Sequence, residues 1–207
     1  MVGALLHHHV AGNHGHGEPV IELHVALAGD NGETLPGTDQ IVTFNQAQGA
    51  TIPARAPLLS DPIAMPVKPL TRLTISIHLP QGAPDATVHS YSAATGWTAP
   101  GDQTAATSLT DATTLGPRVI ITGVEVENRK PARTIVTLGD SITDGVRATP
   151  DSDRRWPDLL AERLQRGGMT LTGVANAGIS ASTMTNGVWM LCALSGATSP
   201  RGRNRFT

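Results

Sequence analysis

Apolar and polar residues alternate over much of the first two thirds of the chain, with the period of two that β-strands have. Residues 72–79 show this alternation most clearly. One face of the segment would carry the apolar side chains and the other the polar ones, with Leu73, Ile75, Ile77 and Leu79 against Arg72, Thr74, Ser76 and His78. The alternation predicts a half-buried antiparallel strand.

Four further segments have strand-like composition and are bounded by turn residues, namely residues 21–28, 40–44, 87–92 and 118–126. The turns between them are rich in Gly, Asn, Asp and Pro, which favour changes of chain direction. Several short strands punctuated in this way are typical of a β-sandwich. The sequence therefore predicts an N-terminal all-β, sandwich-like domain over residues 20–128.

Beyond that domain the pattern changes to alternating strand and helix. Apolar runs at residues 134–138 and 169–175 predict two strands, and residues 154–166 between them predict a helix. The helix has its large apolar residues at helical spacing, at Trp156, Leu159, Leu160 and Leu164. A β-α-β unit of this kind belongs to a doubly wound parallel sheet. We therefore predict a partial α/β domain over residues 129–186.

The two ends of the chain fit neither pattern. Residues 1–19 are rich in His and Gly and are predicted to be a disordered end. Their histidines lack carboxylate or cysteine partners at fixed spacing, so we expect no metal site there. Residues 187–207 contain no acidic residue and no clear period, and are predicted to be foreign to the α/β domain. We expect that the reading frame slips near Gly187 and then ends early.

Composition narrows the function further. The chain has 15 basic and 17 acidic residues and only 3% aromatic residues, so no nucleic-acid partner is expected. Its single cysteine, Cys192, excludes a disulfide framework and a cysteine-rich zinc site. No apolar run is long enough for a membrane span, and the first residues lack the features of a signal peptide. The chain is expected to be soluble, and its compartment stays open.

The most informative stretch is Gly-Asp-Ser-Ile-Thr-Asp-Gly at residues 139–145, directly after the predicted strand 134–138. A strand that ends here and turns toward a helix places the hydroxyl of Ser141 at the carboxyl edge of a sheet, among backbone N–H groups. Nucleophilic serines occupy such positions. A simpler interpretation is an ordinary turn in which Asp140 or Ser141 caps the helix.

This stretch resembles the first sequence block of the GDSL lipases and esterases, also called SGNH hydrolases. The run Asn176-Ala-Gly178 is similar to their second block. The resemblance implies a flavodoxin-like α/β domain without a cofactor, in which Ser141 attacks a small ester substrate and forms an acyl-enzyme. It also implies that the backbone N–H groups of Ser141 and Gly178 form part of the oxyanion hole. We expect Asp140 and Asp144 to brace the turn as hydrogen-bond acceptors.

Two further blocks of that family are not found in the sequence. They are Gly-x-Asn-Asp, which supplies an Asn donor, and Asp-x-x-His, which supplies the general base. All eight histidines precede Ser141, and Asp85 lies one residue too far from His89 to match the second block. His78 and His89 are interpreted as surface positions of the β-domain rather than as ligands, although a base from that domain is the alternative source. The chain is therefore expected to be impaired as an esterase.

A second interpretation is a non-catalytic β-sandwich binding module that carries an inert hydrolase remnant. Two matched blocks favour the hydrolase as the origin of the sequence, and the missing groups favour the binding module for this chain's behaviour. In either case the predicted parallel sheet has only two strands. We expect its exposed edge to promote self-association.

Overall fold

The computed structural model describes residues 2–7, 20–53, 56–80, 82, 88–180 and 203–206, and the side chains of 21–53, 56–80, 82 and 88–180. The chain divides into two compact units, residues 1–90 with 95–122 and residues 91–94 with 123–207. The boundary at 122 falls six residues before the predicted one at 128. In each of the two ends that fit neither sequence pattern, residues 1–19 and 187–207, one strand is described. The rest of both ends lies outside the described residues.

The described residues form mostly strands. In chain order the strands are β1 (Val2–His7), β2 (Val20–Leu27), β3 (Gln40–Val42), β4 (Ala50–Thr51), β5 (Pro57–Leu59), β6 (Leu73–His78), β7 (Val88–His89), β8 (Gly96–Thr98), β9 (Thr113–Leu115), β10 (Arg118–Val119), β11 (Ile121–Glu127), β12 (Arg133–Gly139), β13 (Thr172–Gly178) and β14 (Arg203–Phe206). The two helices are α1 (Ser141–Asp144) and α2 (Trp156–Arg166). Neither has the length or apolar character that crossing a bilayer requires.

Strand β2 organises the core of the first unit. Strands β3, β4 and β6 all pair with it in the antiparallel direction. Its alternate apolar residues are fully or almost fully buried, together with residues from the neighbouring segments: Ile21, Leu23, Val25, Val42, Phe44, Ile52, Ile63 and Met65. Burying side chains of this size contributes about 1.5–3 kcal/mol each.

Further strands of the first unit pair in small ladders, β1 with β5, β7 with β10 and β8 with β9. The predicted strand 118–126 is broken in two at Ile120, whose φ of 64° lies in the left-handed region. A β-branched residue rarely adopts that conformation, so the break could not be predicted from the residue pattern. The sandwich-like arrangement stays a prediction.

Strand β6 is antiparallel to β2 as predicted, but its burial does not follow the sequence alternation. All six of its residues are half-buried. On the polar face, Thr74 Oγ1 donates to the Glu33 carbonyl at 3.3 Å, and carboxylates of Glu22 and Asp102 approach His78. The expectation of a surface position for His78 is therefore wrong in part, since its Nδ1 atom is buried.

A turn of the first unit packs against Trp97. Gly32 has a φ of 83°, and a Cβ atom there would lie 2.5 Å from Trp97 Cε3. Gly37 has a similar φ of 76° but no atom within 4 Å of such a Cβ. We expect Gly32→Ala to lower the free energy of unfolding by about 1–3 kcal/mol more than Gly37→Ala. Denaturant unfolding followed by tryptophan fluorescence measures both, and equal losses would contradict the packing role of Gly32.

The second unit contains a parallel pair, β12 and β13, in a register that runs from Arg133 opposite Thr172 to Gly139 opposite Gly178. Strand β13 begins three residues later than predicted. The difference arises because Met169 N–H donates to the Leu164 carbonyl at 2.9 Å and Thr172 N–H to the Met169 carbonyl at 3.0 Å, so the chain is still turning.

Helix α2 links the two parallel strands and begins at Trp156 rather than at the predicted residue 154. Asp158 fixes this start, because its carboxylate accepts from the backbone N–H of Arg155 at 3.0 Å and forms a bidentate pair with that side chain. On the apolar face, the Trp156 side chain is 43% exposed, while Leu160 and Leu164 are half-buried. Self-association through this unit stays a prediction.

Candidate functional site

Ser141 is the first residue of α1, directly after β12, at the carboxyl end of that strand. Asp140 caps the helix, because its Oδ1 accepts from the Ile142 N–H at 3.0 Å. The cap is therefore Asp140, and the Ser141 side chain is left for other contacts. Ser141 is half-buried, and neither its N–H nor its hydroxyl is hydrogen-bonded within the described part of the chain.

Two glycines allow α1 to lie directly on the strand ends. Gly139 and Gly178 are opposite each other at the end of the β12–β13 ladder. A Cβ atom on Gly139 would lie 2.8 Å from Thr143 Cβ, and one on Gly178 would lie 2.7 Å from the carbonyl carbon of Thr143 and 2.8 Å from Asp144 Cα. These separations are too short to admit a Cβ atom at either residue, so the position of the serine turn depends on glycine at both places.

Asp144 closes the other end of the short helix. It is 4% exposed, and its Oδ2 accepts from the N–H of Ser180 at 2.9 Å and from the Ser180 hydroxyl. The next residue, Gly145, has a φ of 97° and donates its N–H to the Ser141 carbonyl at 3.0 Å. The Tyr91 hydroxyl donates to the Gly145 carbonyl at 3.0 Å. Asp144 thus joins the turn to the chain that leaves β13.

Asn176 joins the same two elements from within β13. Its Nδ2 donates to the Thr143 carbonyl at 2.8 Å, and its Oδ1 accepts from the Gly178 N–H at 2.9 Å. From the sequence, Asn176 was placed in the second block but was assigned no role. Its hydrogen bond to Thr143 could not be foreseen, because Thr143 lies 33 positions earlier in the chain. The N–H of Gly178 is therefore engaged, and a negatively charged oxygen would compete for it with the Asn176 amide.

No histidine lies in the unit that contains Ser141, since residues 91–94 and 123–207 include none. The described histidines, His7, His24, His78 and His89, belong to the first unit. Asp85, which the spacing argument compared with His89, lies outside the described residues. The structure thus brings Asp140, Ser141 and Asp144 together in one turn that packs against Gly178 at the end of β13, without a histidine from the same unit.

Two concavities are found on the described surface. One is lined in the first unit by Thr98, Ala99, Pro100, Asp111 and Thr113. The other is lined in the second unit by Pro131, Arg133, Gly168, Met169, Thr170, Leu171 and Thr172. Neither lining includes a residue of the serine turn. These concavities therefore do not identify a binding site for the acyl or alcohol part of an ester.

Comparison with known families identifies the segment around the serine turn. Residues 135–198 match the family described as GDSL-like Lipase/Acylhydrolase. The match confirms the resemblance and contains both Ser141 and Gly178. It also continues past residue 186, into the segment that the sequence pattern separated from the α/β domain. Among curated proteins, none matches this chain.

Proposed function

From the GDSL-like lipase/acylhydrolase segment at residues 135–198, we propose a carboxylic-ester hydrolase in which Ser141 is the nucleophile. Its oxygen attacks the ester carbonyl, the alcohol leaves, and water then releases the acid from the acyl-serine. One observation carries the proposal. The Ser141 hydroxyl lies at the carboxyl end of β12 and makes no hydrogen bond with a described residue, while its turn is fixed on every side.

The backbone supports a partial oxyanion hole. Ser141 contributes its N–H, which has no hydrogen-bond acceptor among the described residues. Gly178 contributes a second N–H at the facing strand end, where Asn176 Oδ1 accepts it at 2.9 Å. A charged oxygen is a stronger acceptor than a neutral amide oxygen, so an oxyanion would displace Asn176 from this N–H. Asp140 and Asp144 support the turn through their own hydrogen bonds.

The proton acceptor is the group that this unit lacks. The family resemblance implies a histidine and an Asn donor from two further blocks, and the 207 residues contain neither block. Loss of a triad base typically lowers the rate by several orders of magnitude, and loss of one oxyanion donor lowers it by about a hundredfold to a thousandfold. By itself the chain is therefore proposed to be almost inert.

We expect the purified chain to hydrolyse p-nitrophenyl acetate and p-nitrophenyl butyrate no faster than its Ser141→Ala variant, because the serine has no base. Release of p-nitrophenolate, followed by absorbance, gives both rates. Turnover that Ser141→Ala abolishes would refute this expectation. His78→Ala and His89→Ala would then show whether a histidine of the first unit supplies the base.

The second candidate function is a β-domain binding module whose α/β remnant is passive. The observation in its favour is the absence of histidine from the unit that contains Ser141. The two candidates predict the same inert behaviour for this chain alone. They differ when the two further blocks are supplied, since only the hydrolase then gains turnover that depends on Ser141.

A further inference from the structure

A cluster of three potential metal ligands lies on the polar face of the β2–β6 ladder. Glu22 and His78 are directly opposite each other in the register of these strands. Asp102 approaches them from the segment between β8 and β9. His78 Nδ1 lies 3.6 Å from Glu22 Oε2 and 3.8 Å from Asp102 Oδ2, and the three ligand atoms all lie within 4.8 Å of one another.

The ligand atoms of this cluster are held toward a common point. The Nδ1 atom of His78 is buried and makes no hydrogen bond with a described residue. Thr104 donates both its N–H, at 3.0 Å, and its hydroxyl, at 2.7 Å, to Asp102 Oδ1, which leaves Oδ2 facing His78. These hydrogen bonds from Thr104 also lower the pKa of the Asp102 carboxyl, so the carboxylate is ionised at neutral pH.

We propose that Glu22, His78 and Asp102 bind one divalent first-row transition-metal ion, with Zn²⁺ as the best fit. A tetrahedral zinc ion with bonds of about 2.0–2.2 Å places its ligand atoms about 3.3–3.6 Å apart. The distances from His78 Nδ1 to both carboxylates are at or slightly above that range, and the two carboxylate atoms, which lie within 4.8 Å of each other, would draw together around the ion. One imidazole and two carboxylates suit zinc better than Mg²⁺ or Ca²⁺, whose ligands are oxygens. Water would complete the coordination.

A nearby histidine has a different role. His24 Nδ1 is paired with Asp39 Oδ2 at 2.7 Å. That contact engages one imidazole nitrogen of His24, and His24 is not one of the three residues whose ligand atoms cluster together. The proposed ion would join the segment between β8 and β9 to the sheet of the first unit. Its binding is therefore expected to raise the midpoint of thermal unfolding.

The test must separate this cluster from the histidines near the chain start, which also chelate metals. The full chain is therefore given the substitutions His7→Gln, His8→Gln, His9→Gln, His14→Gln and His16→Gln. In this background, calorimetric titration with ZnCl₂ is expected to show one ion per chain. His78→Ala and Asp102→Asn are expected to weaken binding at least about tenfold. His89→Ala, which removes an exposed histidine of the same unit, is expected to leave binding unchanged.

Asp102→Asn keeps an oxygen that can accept the hydrogen bonds from Thr104. A loss of zinc binding in this variant therefore reflects the loss of the carboxylate rather than misfolding. Circular dichroism checks that each variant is folded. Cobalt(II) supplies a second readout, since its visible bands require a defined coordination sphere and should disappear in Asp102→Asn. Absence of stoichiometric zinc binding would overturn the proposal. So would zinc binding of unchanged affinity in folded His78→Ala and Asp102→Asn.

Discussion

Ser141→Ala is expected to lower kcat/KM for p-nitrophenyl butyrate by at least about a thousandfold once the missing groups are supplied. The protein for this comparison joins residues 1–186 to the Gly-x-Asn-Asp and Asp-x-x-His blocks of a GDSL-like hydrolase. The added histidine would take the proton of Ser141, and the added Asn would be the third oxyanion donor. The gain then depends on the serine, because without it no acyl-enzyme forms.

The control for that comparison is Ser108→Ala, which removes an exposed hydroxyl of the first unit. It is expected to leave kcat/KM within a factor of about two, as surface substitutions usually change little. Circular dichroism establishes that each chimera is folded. A folded chimera that hydrolyses the ester equally well with and without Ser141 would exclude the proposed nucleophile.

Gly178→Ala is expected to destabilise the second unit by about 3 kcal/mol, at the upper end of the range for overpacked sites. The added Cβ would lie 2.7 Å from the carbonyl carbon of Thr143 and 2.8 Å from Asp144 Cα. These are backbone atoms, so no rotamer change relieves the contact. Helix α1 must move away from β13, which also breaks the hydrogen bond from Asn176 to the Thr143 carbonyl.

Amide hydrogen exchange measures the destabilisation at helix α1 itself. The amides of Asp144 and Gly145, which donate to the carbonyls of Asp140 and Ser141, should lose protection in Gly178→Ala. Gly116→Ala is the control, because a Cβ there has no atom within 4 Å. Wild-type protection and wild-type unfolding free energy in Gly178→Ala would show that the close approach of α1 to β13 is not required.

The elements around the serine were largely predictable, since local periodicity determines strands and helices. The first parallel strand and the helix were predicted to within a few residues. The second strand was displaced because residues 169–171 complete the turn after the helix. The contacts of Asn176 and Asp144 were not predictable, since they depend on the register that places Gly139 opposite Gly178.

In the first unit, too, the features that depend on local sequence were predictable, and the contacts between residues far apart in the chain were not. Strands β2, β3 and β6 form where their sequence patterns predict strands, whereas the break at Ile120 rests on a rare backbone conformation. His78 was predicted on the polar face of its strand. Its neighbours were not foreseeable, because Glu22 meets it through strand register and Asp102 through a loop.

The nucleophilic role of Ser141 is tested most directly by covalent trapping. The chimera with the two added blocks is treated with a fluorophosphonate, which phosphonylates activated serines, and the labelled peptide is identified by mass spectrometry. We predict a single label on Ser141 and no labelling of the Ser141→Ala variant. An ester-hydrolysing chimera that is labelled at another residue, or that keeps its label when Ser141 is replaced, would contradict this account.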